Sequence, residues 1–103
     1  MKLEFENGAV FENPSDGTIA ETLAGLNGES NTFAILSASD LTYIQVAAGE
    51  DGTGLLEYQE GSTERHFQAE AFIPLAHVIQ AFQMYNRDDM AWKRVCVWRK
   101  ITF

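Results

Sequence analysis

Two alternating runs joined by a glycine-rich acidic turn, at residues 41–59, constrain the fold of this chain more than any other stretch. In the first run Ile44 and Val46 alternate with Tyr43 and Gln45, and successive side chains of a strand point to opposite faces of a sheet. One face of this strand is therefore apolar, and the other is aromatic and polar. The stretch predicts a β-hairpin whose apolar face has to be covered by the rest of the chain.

Other short segments predict further strands. Residues 2–6 alternate, with Leu3 and Phe5 on one side, and an Asn-Gly turn follows them. Val10 and the next residue either extend this edge or form a second short strand. Residues 32–37 are an apolar run typical of a central strand, and residues 65–69 alternate again. Sequential strands with short connections predict an antiparallel meander.

Two segments predict helices. In the first, Asn13 can cap the helix and Pro14 suits its first position, so that we expect a helix to about Leu26 with Ile19 on its buried stripe. Gly28 is then expected to end it in the left-handed conformation. The second helix begins at Pro74 and has the strongest helical periodicity of the chain, in the stripe Leu75, Val78, Ile79, Phe82 and Tyr85.

The last segment, residues 92–103, has strand character. Together the segments predict one α+β domain spanning residues 1–103, with the element order β-α-β-β-β-β-α-β. We expect a single antiparallel sheet of five to six strands with both helices packed on one face. Ile44, Val46, Leu56 and Phe67 are expected to face the helices.

Charge is distributed unevenly along the chain. The formal net charge is −8, with twelve Asp or Glu residues and one Lys in residues 1–64, and three acidic and six basic residues after them. An acidic chain is not expected to bind nucleic acid directly, because phosphate contacts need clustered Lys and Arg. The basic tail either neutralises the acidic part or leaves it as a surface of one sign for a basic partner.

The sequence also predicts where the protein is found. Cys96 is the only cysteine, so an intramolecular disulfide is impossible and a reducing compartment is the natural assumption. No stretch has the apolar length of a signal peptide or a membrane span. We therefore expect a cytoplasmic protein without a membrane partner.

Candidate chemical sites are few. His66, His77 and Cys96 lack the close spacing that zinc ligands usually show, so we expect no metal and no cofactor. The turn at residues 49–54 lacks the alternating oxygen ligands of a calcium loop and is predicted to be a plain connection. No serine lies in a G-x-S-x-G elbow. The sequence therefore predicts a protein that is not an enzyme.

The sheet face opposite the helices remains as a candidate partner-binding surface. Aromatic, amide and acidic groups on one rigid surface are typical of protein interfaces. The alternative is that this is an ordinary solvated face of an antiparallel sheet. The candidate residues are Tyr43, Gln45, Glu57, Gln59, His66, Gln68 and Trp98.

The order of these signals resembles small bacterial immunity proteins of polymorphic toxin and contact-dependent inhibition systems. The resemblance rests on the pattern NP-S-D-x-x-I-x-x-x-L-x-x-L at residues 13–26, on TFAIL, and on YIQV followed by a glycine turn. It continues through EYQEG at residues 57–61, VIQAF at residues 78–82 and a terminal strand that contains tryptophan. These motifs cover most of the chain and are structural.

The resemblance implies a cytoplasmic, non-enzymatic protein that binds a cognate protein toxin, such as a nuclease or deaminase, and occludes its active site. An acidic inhibitor of a basic toxin would gain association rate by electrostatic steering. Two alternatives remain open. One is an acidic nucleic-acid mimic that inhibits a defence nuclease, and the other is a small ligand-binding domain or enzyme that uses the open sheet face.

Overall fold

The computed structural model describes residues 1–103 and contains eight strands and two α-helices. The strands lie in one antiparallel sheet, and both helices pack on one of its faces, so the protein has the α+β architecture predicted, with more strands than expected. In chain order the elements are β1 (Lys2–Phe5), β2 (Val10–Glu12), α1 (Asp16–Leu23), β3 (Phe33–Ser39), β4 (Thr42–Ala48), β5 (Thr53–Glu60), β6 (His66–Ala69), β7 (Ile73–Pro74), α2 (Leu75–Asn86) and β8 (Trp98–Ile101). Neither α1 nor α2 has the length and hydrophobicity of a membrane-spanning helix.

The sheet has the order β2-β1-β3-β4-β5-β6-β8, with the short β7 pairing one end of β5. The predicted hairpin is confirmed as β4 and β5, which pair over seven residues from Thr42↔Glu60 to Ala48↔Gly54. Asp51 and Gly52 at its tip both have positive φ, 53° and 72°, as a type I′ turn requires. The hairpin therefore occupies the centre of the sheet, and its glycine-rich loop is a connection.

The first helix begins later and ends earlier than the sequence indicated. Its cap is Ser15, whose hydroxyl accepts a hydrogen bond from the Thr18 backbone N–H at 3.1 Å. Asn13 instead has a φ of 47° and accepts a hydrogen bond from the amino group of Met1 at 3.0 Å, so it fixes the N-terminus beside the helix. The helix ends at Leu23, and the backbone of Gly28 does not have positive φ, so the expected left-handed end is wrong.

The core lies between the helices and one face of the sheet. Its centre is formed by fully buried side chains from both helices and from strands β1, β3, β4 and β5. Ile44, Val46 and Leu56 face the helices as predicted, and Phe67 stacks on Tyr58 at the edge of the same face. The buried residues of the helices that meet them are Ile19, Leu23, Val78, Ala81, Phe82 and Tyr85.

The last segment is strand over only part of the predicted range. Residues Met90–Arg94 form a 3₁₀ turn capped by Asp89, whose carboxylate accepts a hydrogen bond from the Ala91 N–H at 3.0 Å. This turn buries Trp92 against Tyr58 and Tyr85. The chain reaches the sheet only at Trp98, where β8 pairs with β6 as the last strand.

Candidate functional site

Two rows of side chains cross the sheet face that the helices leave open. Strand register places Tyr43 opposite Gln59, and Gln59 opposite His66. The second row runs parallel to the first through Gln45, Glu57 and Gln68. Cross-strand partners lie about 4.5–5.5 Å apart at Cβ and can interact directly. Six of the seven candidate residues are thus brought together as neighbours on β4, β5 and β6.

Hydrogen bonds join most of these side chains into one network. Gln59 Nε2 donates to the Leu41 carbonyl oxygen at 3.2 Å, which leaves Gln59 Oε1 to accept from Tyr43 Oη at 3.4 Å. The same Oε1 lies 3.1 Å from His66 Nδ1, so this ring nitrogen is the donor of the pair. On its other side His66 Nε2 lies 3.3 Å from Glu57 Oε2. The network therefore holds the imidazole between an amide and a carboxylate.

The network is largely closed to solvent although it lies on the open face. His66 and Gln59 are only 5% and 4% exposed, and the rings of Tyr43 and Phe103 contact the imidazole edge to face at 6.2 and 5.2 Å. Burial, and secondarily the charge of Glu57, raise the pKa of the Tyr43 phenol, so this group stays a neutral donor at physiological pH. The surface is thus built on side chains with fixed positions.

Trp98 does not belong to this surface. The register of β8 places it opposite Ala69, on the helix side, where its ring packs edge to face on Tyr58 and Trp92 at 4.7 and 6.0 Å. Its indole N–H donates to the Lys93 carbonyl oxygen at 2.9 Å. The prediction put Trp98 on the open face because it assumed one continuous strand over residues 92–103. The strand begins only at Trp98, after the 3₁₀ turn, and its side chains alternate in the opposite sense to the one predicted.

Apolar side chains that the sequence analysis did not select continue the open face beyond the network. Phe33, Ile35 and Leu55 lie on this face, and Phe33 is 40% exposed. They line a cavity of about 390 Å³, which we call the Glu57 cavity, together with Ala47, Gln45 and Glu57. A signal for them existed, because a strand that is apolar on both faces, as in residues 32–37, indicates that both faces become covered.

A second cavity of about 440 Å³ adjoins the first and shares Ile35 and Gln45 with it. Its other walls are polar or charged and include Lys2, Glu4 and Tyr43. The Lys2 ammonium lies 3.4 Å from the Glu4 carboxylate, so this part of the face carries both signs of charge. Together the two cavities form a trough that is apolar at one end and polar at the other.

The basic tail neutralises the acidic part of the chain incompletely. Lys93 and Arg65 both pair with Glu60, at 2.8 and 3.1 Å, and Arg87 pairs with Asp16 at 2.6 Å. Arg94, Arg99 and Lys100 form no ion pair. Eight of the twelve acidic residues before position 65 also have no basic group at ion-pair distance, and these are Glu6, Glu12, Glu21, Glu29, Asp40, Glu50, Asp51 and Glu64.

No group of three or more His, Cys, Asp or Glu side chains is placed to hold a metal ion. His77 is exposed on α2, and burial raises the pKa of the Cys96 thiol to about 11, which keeps it protonated and unreactive at neutral pH. The Glu57 cavity is not lined by His66, both of whose ring nitrogens face protein acceptors.

Comparisons of the chain with protein-family models, with curated proteins and with solved structures gave no match.

Proposed function

We propose that the protein binds another protein through its open sheet face and that, as an immunity protein, it neutralises a toxin domain in the cytoplasm without catalysing a reaction. The observation that carries the proposal is the composition of that face. A solvated face of an antiparallel sheet needs only polar side chains. Here the apolar end of the trough lies beside a fixed network of aromatic, amide and charged groups, which is the composition of an interface core and its rim.

Charge supports a basic partner. The chain carries a net charge of −8, and most of its acidic residues lack a basic neighbour. A field of one sign raises the association rate of an oppositely charged partner and weakens with added salt. Toxin domains that act on nucleic acids need a basic groove for their substrate, so they are partners of the required sign.

The proposal is favoured over the two alternatives by the same geometry. A nucleic-acid mimic needs carboxylates that repeat along a surface like phosphates, whereas the open face alternates Lys2, Glu4 and neutral side chains. An enzyme that uses His66 as its general base needs that imidazole to be accessible from a substrate cavity. His66 is buried, and the Glu57 cavity beside it does not reach its ring.

The test is growth rescue by co-expression with the toxin domain encoded beside the gene of this protein. We expect the wild-type chain to restore growth and to form a stoichiometric complex with the toxin. Phe33→Ala and Tyr43→Ala should weaken the complex, because they remove exposed contact area from the open face. The matched control is Glu21→Ala, which changes an exposed residue on α1 and should leave rescue intact.

Two results would refute the proposed function. The first is toxicity that the wild-type chain does not relieve, although it is folded and present in excess. The second is equal loss of affinity in the α1 variant and in the open-face variants, because the partner would then not distinguish the two faces.

A further inference from the structure

The Glu57 cavity has the size of a site that receives one side chain or small ligand. Its volume of about 390 Å³ falls in the range of roughly 300–1,000 Å³ that is typical of ligand pockets. Phe33, Ile35, Ala47 and Leu55 supply apolar walls, and polar groups lie at one end only. An occupant must therefore have an apolar body and one polar end.

The polar end of the cavity offers acceptors. Glu57 Oε2 accepts a hydrogen bond from Gln45 Nε2 and lies 3.3 Å from His66 Nε2, whereas Glu57 Oε1 has no partner within the protein. Gln45 Oε1 is likewise without a protein partner, because this amide is held by its nitrogen. No Lys or Arg lines the cavity. Two free acceptors, one of them on a carboxylate, favour an occupant that donates several hydrogen bonds and carries positive charge.

Arginine fits these requirements better than the other donor side chains. Its aliphatic stem packs along apolar surface such as that of Phe33 and Leu55, which leaves its planar guanidinium at the polar end of the cavity. Five N–H groups in a fixed fork can reach both acceptors at once. Lysine offers a compact, strongly hydrated ammonium, and tryptophan offers a single N–H without charge.

We propose that the Glu57 cavity binds an arginine side chain of the partner protein, with the guanidinium on Glu57 and Gln45 and the stem against Phe33 and Leu55. This inference rests on the proposed function for the existence of a partner. The net charge of −8 gives the chain the sign that attracts an arginine-bearing surface. Arginine is also among the residues that most often dominate binding energy at interfaces, so one occupied cavity can carry much of the affinity.

The inference can be tested on the free protein with small probes. N-acetyl-arginine methylamide is titrated into ¹⁵N-labelled protein, and the side-chain amide of Gln45 and the backbone amides of Ala47 and Leu55 are followed by NMR. We expect saturable shifts confined to these groups and to their neighbours in the cavity. The lysine analogue should bind more weakly because its ammonium is more strongly hydrated and is not a planar fork, and the tryptophan analogue because it offers one uncharged N–H.

Variants locate the binding. Glu57→Gln preserves the size of the side chain and removes its charge, and it should weaken the arginine probe by about tenfold, the loss of one charge-assisted hydrogen bond. Glu4→Gln removes a carboxylate from the same face outside the Glu57 cavity. Because solvent screens this charge, the substitution should change the affinity for the arginine probe by less than about twofold. The amide spectrum of each variant shows whether its fold is retained.

Several results would overturn the inference. They are the absence of saturable shifts with the arginine probe, equal or tighter binding of the lysine or tryptophan probe, and equal effects of the two substitutions. Since the titration contains no toxin, its failure leaves the growth-rescue result standing. Conversely, if the arginine probe binds but the protein does not rescue growth, the cavity is an arginine-binding site and the toxin is not its partner.

Discussion

Replacing Gly54 by alanine tests the packing that holds the central hairpin against the second helix. Gly54 is buried on β5, opposite Ala48 of β4, and its φ lies outside the left-handed region that favours glycine. A Cβ at this position would lie 2.7 Å from Val46 Cγ2 and 3.2 Å from Val78 Cγ2. Gly54 therefore lets α2 approach the sheet, and its backbone conformation alone does not require glycine.

The expected cost follows from this geometry. Both valines are 0–1% exposed and stiff at χ1, so neither can turn away from the added methyl group. Overpacking of a core by one carbon costs about 1–3 kcal/mol. At a compatible φ, replacing glycine by alanine also stabilises the protein by about 0.4–1 kcal/mol, because it lowers the conformational entropy of the unfolded chain. The free energy of unfolding should therefore fall by about 1–2 kcal/mol, or on the order of 5–10 °C in Tm.

Urea denaturation followed by circular dichroism measures this change, with two matched controls. Gly28→Ala adds the same methyl group where no atom lies within 4 Å, so its stability should stay the same or rise slightly. In a Val46→Ala background the closest contact of the new methyl group is removed, and the cost of Gly54→Ala should fall by about 1 kcal/mol or more. Equal costs in the two backgrounds, or a Gly54→Ala protein as stable as the wild type, would refute the packing argument.

Three further predictions concern stability. Burial raises the pKa of Tyr85 to about 12, and the charge of Glu60 adds to the shift. A raised phenol pKa stabilises the fold below the unfolded value of about 10, and this stabilisation is lost as the pH rises from 10 to 12. Tyr85→Phe should therefore flatten the fall of unfolding free energy in that window, and unchanged alkaline unfolding would contradict the assignment. His66→Phe keeps a ring beside Phe103 but removes both polar contacts, so it should cost about 1–3 kcal/mol. Gln68→Ala on the same strand should cost less than about 0.5 kcal/mol in the same denaturation assay, and equal costs would argue against the network. Trp98→Phe should lower stability by about 1 kcal/mol through loss of the indole hydrogen bond while leaving affinity for the proposed partner unchanged, and a large loss of that affinity would place Trp98 in the proposed binding surface.

The sequence was sufficient for the fold class because local pattern and chain length leave few solutions. Alternation in the hairpin and the helical stripe around Val78 and Phe82 both survive in the structure as buried faces. The helix start at Ser15 was less predictable, since Asn13, Ser15 and Asp16 are all good capping residues. Which of them caps the helix depends on where the N-terminus lies, because the amino group of Met1 donates a hydrogen bond to the Asn13 side chain.

The candidate site was predictable in its polar part and missed in its apolar part. Tyr43, Gln45 and Glu57 follow from strand alternation, which needs only the assignment of the core face. The placement of His66 beside both Gln59 and Glu57 needed the pairing of β5 with β6, which alternation alone does not fix. Phe33, Ile35 and Leu55, the apolar walls of the Glu57 cavity, were assigned to neither face, and their positions on β3 and β5 place them on the open one.

The sequence by itself determined that the chain has an α+β fold whose central hairpin has a buried face and a polar face, because side-chain periodicity is a local property. Only the tertiary structure decided that Trp98 turns inward, that Phe33 and Leu55 extend the open face, and that Glu57 keeps one oxygen free beside them. Those features depend on register between strands and on where the 3₁₀ turn returns the chain to the sheet. Contacts between residues far apart in the sequence set both, and no local pattern encodes them.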